Sequence, residues 1–400
     1  MLLTQKILLD ITDEQKIFLD SQSIILNKFY NYLLNLYITK KITMYDISSR
    51  DKVIAIIRIS KQQMPQLKDV CIFSLIDAVE RLKKAISNKA RFNELPKEKN
   101  NNIKWFSLFY SNDTTKIEIK RKHIMLHLRN GTTYNIRLKS RLRKNNRIYN
   151  YRIIKKYNIY SLIVLLDVDI NVPHRKIKNT IAIDPNHKNL MVCVDSKGTT
   201  IEVENLPMVK YFFHQTDKMR SLIKKTIKNS KRYNYLSNAL YRLCYKREEQ
   251  IKKVLYKLAH YFTDRYDCIA MGNYSPNVKN TTNKNMRRVM INESLICKFR
   301  NILKKICEQK GVLFKDINEY GTTKKCFACG YEEHKSPDIR VYTCPKCGRT
   351  YNRDINSAIN IGYKGRILSA QDYIGIDLLV PMYTIKSDYR NNDLIVILNK

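Results

Sequence analysis

The sequence predicts an α/β fold in which short buried strands alternate with long basic helices and a zinc ribbon is inserted close to the end. Three observations carry that expectation. Cys326-Phe327-Ala328-Cys329 and Cys344-Pro345-Lys346-Cys347 are two C-x-x-C pairs with 14 residues between them (344 − 329 − 1). Each pair can aim two thiolates at one tetrahedral Zn²⁺. Between Asn179 and Ile361, apolar runs of strand length are separated by amphipathic helical patterns. The 400 residues carry 74 Lys and Arg against 36 Asp and Glu, a formal charge of +38, so a polyanion is the natural partner.

Taken in order, Met1–Ile11 reads as an edge strand. Asp13–Tyr37 reads as a helix, with Ile17, Phe18, Ile24, Ile25, Phe29, Tyr32 and Leu33 at helical spacing and Thr12 as its cap. Ser74–Ser87 is a second helix with Leu75, Ala78, Val79 and Leu82 on one face. Short strands follow at Lys104–Tyr110, Lys116–Ile119, His123–Leu128 and Tyr160–Asp167. No catalytic motif lies in residues 1–175, which read equally as a scaffold or as a basic substrate-gripping domain.

The character changes near Asn179. Thr180–Asp184 is a buried strand ending in an acid, Asp184–Asn189 is turn chemistry, and Leu190–Asp195 is the return strand. Two basic helices, Val209–Lys228 and Tyr233–Arg265, are broken at Asn229–Arg232. Cys268–Met271 is a short strand and Asn273–Asn285 a polar loop. Met290–Gln309 is an amphipathic helix with Gly311 as its C-cap, followed by a strand at Val312–Ile317. The ribbon and a final helix, Asn356–Ile361, complete the pattern. Beyond Gly365 apolar and polar segments alternate without a motif.

The cations are spread over Arg137–Arg147, Lys218–Arg232, Arg242–Lys257 and Lys279–Arg288, which fits a long nucleic-acid path better than one small phosphate pocket. An A/T-rich coding sequence raises Lys, Asn, Ile and Tyr together and accounts for part of this, not for a twofold excess over acids. The Tyr233–Lys257 stretch interleaves rings with cations; its tyrosines serve either base stacking or core packing. Six further cysteines (Cys71, Cys193, Cys244, Cys268, Cys297, Cys307) read as reduced core residues. The N-terminus lacks the pattern of a signal peptide, and no apolar run approaches a membrane span. The expectation is a soluble intracellular protein, nuclear in a eukaryotic host and otherwise in the cytoplasm or nucleoid.

Two acids flank the ribbon symmetrically. Glu319 lies seven residues before its first cysteine (326 − 319) and Asp354 seven after its last (354 − 347), which suggests a zinc clip inserted into a metal-dependent active site. Mg²⁺ takes hard oxygen ligands, and phosphodiester hydrolysis by two such ions, ~4 Å apart, needs carboxylates converging from separate elements. Asp184 is a further candidate. Taken alone, Asp184 reads as a hairpin-turn aspartate and Asp354 as an N-cap; only a constellation gives them a catalytic reading. His334, between the knuckles, reads as a loop residue because four cysteines already complete a zinc site.

Asp184 in IAIDPN, the basic helical hairpin, the CFAC…CPKC ribbon and NRDINSAINI together resemble the TnpB family of transposon-encoded nucleases, most of all its eukaryotic and viral Fanzor branch. The resemblance covers about residues 178–362; before that, SLIDAVERLKKAIS resembles the family's recognition helix and the later strands its wedge barrel. It implies an RNase H-like (RuvC) nuclease core with the ribbon inserted and an N-terminal lobe of β-barrel and helical elements. The implied division is 1–175 wedge and recognition lobe, 176–325 nuclease core, 326–348 ribbon, 349–365 the rest of the core, and 366–400 a tail without assigned role. The implied activity is RNA-guided DNA cleavage, with two catalytic Mg²⁺ ions, one structural Zn²⁺ on Cys326, Cys329, Cys344 and Cys347, a noncoding guide RNA, and double-stranded DNA as target.

Residue by residue, Asp184 matches the family's first catalytic aspartate and Asp354 its last. The middle glutamate is displaced: Gly272 stands where most members carry it. A subset of the family places a glutamate at the end of the next strand instead, and Glu319 fits that position, with Asp316 and Glu293 as lesser candidates. Asn186 replaces a frequent glycine, and Asn352 a frequent aspartate that is not the metal ligand. Two other readings compete: an unguided RNase H-like transposase or resolvase, and a nuclease-dead, guide-dependent DNA-binding protein.

Overall fold

The structure is a computed structural model, and it describes residues 2–90, 94–99, 105–111, 117–120, 122–127, 131–142, 147–168, 172–173, 175–274, 287, 290, 294–336, 339–373, 375–388, 391 and 393–399. The chain divides into two compact units, Met1–Ile170 and Asn171–Lys400.

In the first unit, strand β1 (Leu2–Asp10) leads into helix α1 (Asp13–Ile38) through a capping box, in which Thr12 accepts from the Gln15 amide while the Gln15 side chain accepts from the Thr12 amide. Helices α2 (Arg50–Gln63) and α3 (Ile72–Ala90) follow. The α3 stripe Leu75, Ala78, Val79, Leu82 and Ile86 is buried, as its spacing predicts. Strands β2 (Trp105–Ser111), β3 (Ile117–Ile119), β4 (His123–His127), β5 (Thr133–Leu138), β6 (Arg147–Lys156) and β7 (Ile159–Asp167) join β1 in one sheet, ordered β2-β6-β7-β1-β5-β4-β3, every pair antiparallel. No described pair joins the two ends of that order.

One expectation is overturned here. The first strand is interior, not an edge, because Leu2–Leu8 pair with β7 and Leu9–Asp10 with β5. Its inward residues Ile7 and Leu9 are buried, so both halves of the strand have a neighbour and a core beneath them. Helix α2 escapes a periodicity reading because it buries only Val53, Ile57 and Ser60 among its described residues.

The second unit is built on a seven-stranded sheet. Strands β8 (Thr180–Pro185), β9 (Met191–Asp195) and β10 (Thr200–Val203) form an antiparallel meander. Helices α4 (Pro207–Lys224) and α5 (Lys231–Arg265) carry the chain to β11 (Cys268–Gly272), which lies parallel to β8. Helix α6 (Ile296–Lys310) then leads to β12 (Leu313–Ile317), parallel to β11. These five strands run β10-β9-β8-β11-β12 across the sheet, a 3-2-1-4-5 order with only the second strand antiparallel to the rest, which is the topology of an RNase H-like core.

Alternation along β8 divides the packing. Ile181 and Ile183 join α4, α5 and α6 in one core, whereas Ala182 meets Ala270 and Ile361 on the opposite face. A strand covered on both faces reads as a continuous apolar run. The two alanines let helix α7 (Arg353–Lys364) approach the sheet closely. Gly311 ends α6 at φ 67°, where a Cβ would sit 2.0 Å from the Pro173 carbonyl oxygen, so both conformation and space require glycine.

The tail, which the sequence leaves without a role, completes this sheet. Strand β15 (Tyr383–Asp388) pairs parallel to β10, and β16 (Asp393–Leu398) antiparallel to β15. Tyr373 is fully buried and its hydroxyl donates to the Asp195 carbonyl at 2.8 Å. Small strands β13 (Val341–Thr343) and β14 (Thr350–Asn352) pair within the ribbon. Five of the six remaining cysteines are buried; Cys297 is exposed on α6, against the core reading. No described helix is long and apolar enough to cross a membrane.

Candidate active site and metal centres

Asp184 stands near the end of β8 on the face that meets α7, and only 6% of it is exposed. The final helix starts three residues earlier than its apolar pattern suggests, so Asp354 lies in its first turn, 4% exposed. Asn352 is the N-cap and its side-chain oxygen accepts from the Asp354 amide at 2.9 Å. The Asp354 carboxylate is therefore free of the capping role that its position alone would suggest. One turn on, Ser357 Oγ donates to Asp184 Oδ1 at 2.9 Å and lies 3.1 Å from Thr322 Oγ1. Thr322 in turn donates to the Glu319 carbonyl from its amide (3.1 Å) and its hydroxyl (2.9 Å). Ser357 thus links the segments that bear all three acids.

Glu319 follows β12, whose parallel register sets Ile317 beside Gly272. Its side chain folds over that glycine: a Cβ added at Gly272 would lie 2.0 Å from Glu319 Oε1 and 2.7 Å from its carboxyl carbon. The carboxylate occupies the space that a side chain at 272 would fill.

Burial pushes the Asp184 carboxyl well above its ordinary range, the nearby charges of Glu319 and Asp354 push it further, and the Ser357 hydrogen bond opposes them. Burial likewise pushes Glu319 up to about 7, against the Tyr274 amide and the Arg300 charge. Glu319 Oε1 is buried with no hydrogen-bond partner among the described residues. An orphaned carboxylate oxygen among mutually repelling acids costs free energy that a hard cation would remove, so these residues fit Mg²⁺. Asp354 is offset by Arg340 at Oδ2 and by Arg353, 3.5 Å from Oδ1.

The four ribbon sulfurs lie within 4.8 Å of one another, with Cys326–Cys347 at 3.8 Å and Cys329–Cys344 at 3.6 Å. Zn–S bonds of about 2.3 Å set tetrahedral S···S edges of about 3.8 Å, so the cluster fits a tetrahedral zinc ion. Although burial opposes it, backbone amides of Cys329 and Ala328 help bring the Cys326 thiol down to about 7, toward the thiolate that zinc requires. His334 is exposed and outside the cluster. Asn356 and Asn360, four apart on α7, both donate to the Lys325 carbonyl (2.9 and 2.7 Å), and Asn360 also to that of Thr322 (2.8 Å). The Asn356 side-chain oxygen accepts from the Phe327 amide at 2.9 Å. The base of the ribbon is thereby fastened to the helix that carries Asp354.

The fold brings Asp184, Glu319 and Asp354 together. It does not bring Asp316, which is exposed and faces Arg300 at 3.5 Å. Glu293, most of the Asn273–Asn285 loop and most of the Lys279–Arg288 run lie outside the described residues. Asn186 closes its turn by accepting from the Asn189 amide at 2.8 Å. Sequence reasoning missed Ser357, Thr322, Arg340 and the asparagine pair; the spacing Asn356-x-x-x-Asn360 beside Ser357 was the available signal. It also missed His187 Nε2 against Tyr274 Oη at 2.6 Å, Tyr274 being the residue whose backbone amide donates to the Glu319 carboxylate.

Comparison with known proteins bears on the family and the fold. Residues 162–283 match the OrfB_IS605 family model, described as "Probable transposase", and residues 297–361 match the Cas12f1-like TNB domain. TnpB-like proteins L79 and L770 of Acanthamoeba polyphaga mimivirus are each 30% identical over 200 residues, covering 46% of this chain and 37% of theirs. The aligned stretch therefore spans well under half the length of these relatives. Among solved structures, a chain from the Cas12f1–sgRNA–target DNA complex superposes with a TM-score of 0.58 at 14% identity, over 88% of this chain and 83% of that one. That likeness is one of fold.

Proposed function

We propose that this chain, which belongs to the TnpB family, is a Mg²⁺-dependent DNA endonuclease directed by a guide RNA. The observation that carries the reading is the convergence of Asp184, Glu319 and Asp354 around Ser357, with a buried Glu319 oxygen that has no partner among the described residues. These three carboxylates would hold two Mg²⁺ ions, which supply an activated water and stabilise the leaving oxygen of a phosphodiester. The protein's own contribution is placement. Ser357 fixes the Asp184 carboxylate, Gly272 leaves the space that the Glu319 carboxylate occupies, and Arg340 with Arg353 offsets the charge of Asp354. Burial keeps the carboxylates from relaxing into water, so the site is preorganised for cations. The four-cysteine zinc site is structural, since all four positions are taken by protein sulfur.

Nucleic-acid partners are supported by the +38 charge and by the tip of the α4–α5 hairpin. Residues 217–243 contain no buried side chain and carry eight cations against one acid, with Tyr235 exposed among them. Such a surface grips phosphate without reading sequence, and base pairing by a guide would supply specificity. The related Cas12f1 was solved with its guide RNA and target DNA. A nuclease-dead reading rested on Gly272, and the carboxylate of Glu319 now stands in that space.

The test is to express the chain with its native flanking DNA, purify it in high salt and sequence the RNA that remains bound. A discrete RNA that directs Mg²⁺-dependent cleavage of matching DNA, lost in Asp184→Ala, is the expected result. Cleavage without any RNA would replace the guided reading with an unguided nuclease, and RNA-directed binding without cleavage with a nuclease-dead one.

A further inference from the structure

Strand β16 ends the second sheet, and its outer edge pairs with no described strand. Residues 394–398 read Leu-Ile-Val-Ile-Leu. Ile395, Val396, Ile397 and Leu398 remain 48, 45, 39 and 63% exposed, so apolar side chains are uncovered on both faces of the strand. Soluble proteins normally blunt such an edge with charge, proline or a bulge, and none of these interrupts residues 394–398.

Two further properties say what covers it. From 391 to 399 the only charged residue is Asp393, and it is paired with Lys257 at 3.0 Å. Residues 394–398 themselves offer a nucleic acid no cation. In a chain of formal charge +38, a second copy meets here an uncharged five-residue segment, with Lys252, Lys253 and Lys257 gathered beside Asn391 at its start, so association is favoured by salt that screens them. The five residues are also a palindrome. Antiparallel pairing about a two-fold axis at Val396 sets Leu394 against Leu398, Ile395 against Ile397 and Val396 against itself, every contact apolar and every side chain facing its own kind. An isologous interface requires this self-complementarity, whereas a strand from another protein has no reason to share it.

We propose that two copies of the chain associate through β16, joining their second-unit sheets across a two-fold axis at Val396. The association does not depend on the nuclease reading. Nucleic-acid-free full-length protein in high salt should show twice the chain mass by light scattering and sedimentation. Val396→Lys, which sets two ammonium groups side by side at the axis, should return the mass to one chain with unchanged circular dichroism and a melting temperature that no longer depends on protein concentration. Opposed antiparallel Cα atoms are about 4.5–5.5 Å apart, within disulfide reach. Val396→Cys should therefore form a cross-linked dimer under oxidation that wild type does not. Ile395→Cys alone should not cross-link, while a mixture of Ile395→Cys and Ile397→Cys proteins should. A monomeric wild type at every concentration, masses beyond two chains, a dimer indifferent to Val396→Lys, or cross-linking by Ile395→Cys alone in place of Val396→Cys would each overturn the proposal.

Discussion

The side chain of Glu319 lies where a side chain on Gly272 would have to be, with Oε1 only 2.0 Å from an ideal Cβ at that residue. The two positions exclude each other. Strand β11 runs parallel to β12, with Gly272 beside Ile317, so a carboxylate can reach this point of the site from either strand but not from both. Glycine at 272 is then a condition for the side chain of Glu319 to lie where it does.

Gly272→Ala should therefore act on Glu319. The added methyl meets the far end of the Glu319 side chain, which must swing aside to make room, and displacing a metal-binding group by about 1 Å can cost ~10²-fold in rate. Cleavage should fall by that order while melting shifts little. Gly272→Glu should be inactive beside Glu319 and regain activity when combined with Glu319→Gly. An active Gly272→Ala enzyme would show that the carboxylate at 319 does not need this location.

Ser357→Ala removes the donor to Asp184 and the link to Thr322. Losing a hydrogen bond to a buried acid costs about 1–3 kcal/mol, and Asp184 would keep only the Arg353 charge against its two acidic neighbours. The apparent Mg²⁺ requirement for cleavage should rise, with the maximal rate at saturating Mg²⁺ reduced less. A Mg²⁺ titration of cleavage checks this; a lowered plateau with an unmoved midpoint would place Ser357 outside metal binding.

The parts legible in the sequence were those whose physics is local. Cysteine spacing marks the ribbon, and a continuous apolar run marks β8 because both its faces are covered. The Thr12 cap and the Leu75–Leu82 stripe announce α1 and α3. What escaped depends on partners distant in sequence. The tail pairs with β10 across about 180 residues, and the interior place of β1 needs β5 and β7. Asn356 and Asn360 are ordinary helix residues until the carbonyls of Lys325 and Thr322 arrive beneath them. The position of Glu319 was anticipated through resemblance, but its fit over Gly272 is a matter of strand register.

Acidity should tune metal binding in a defined direction. Burial raises Glu319 from 4.5 to about 7, so between those values the folded protein holds a proton that the unfolded chain has released. Without metal, this group's contribution to stability falls as pH rises through that window, by at most about 1.4 kcal/mol per unit and by less for a partly solvated group. In the proposed site Mg²⁺ would bind the ionised form, so it should raise the melting temperature more at pH 8 than at pH 6 and release protons as it binds near neutrality. Glu319→Gln should flatten both responses. Melting curves with EDTA and with Mg²⁺ across that range check the sign.

Zinc should matter to cleavage without taking part in it. The Cys326–Cys347 ribbon is tied to α7 through Asn356 and Asn360, and α7 bears Asp354 and Ser357. In small domains zinc contributes about 10–16 kcal/mol of apparent binding energy at neutral pH, so its loss should loosen the ribbon base. Thr322, whose carbonyl Asn360 holds, would then no longer fix the turn after Glu319. Cys344→Ser should lower melting and abolish cleavage together, with one zinc per chain in wild type and less in the variant by metal analysis. Asn360→Ala keeps all four cysteines, so it should retain zinc yet lose part of the activity. Full activity in that variant, or in a chelated protein whose melting had dropped, would show that the ribbon and the carboxylates are not mechanically joined.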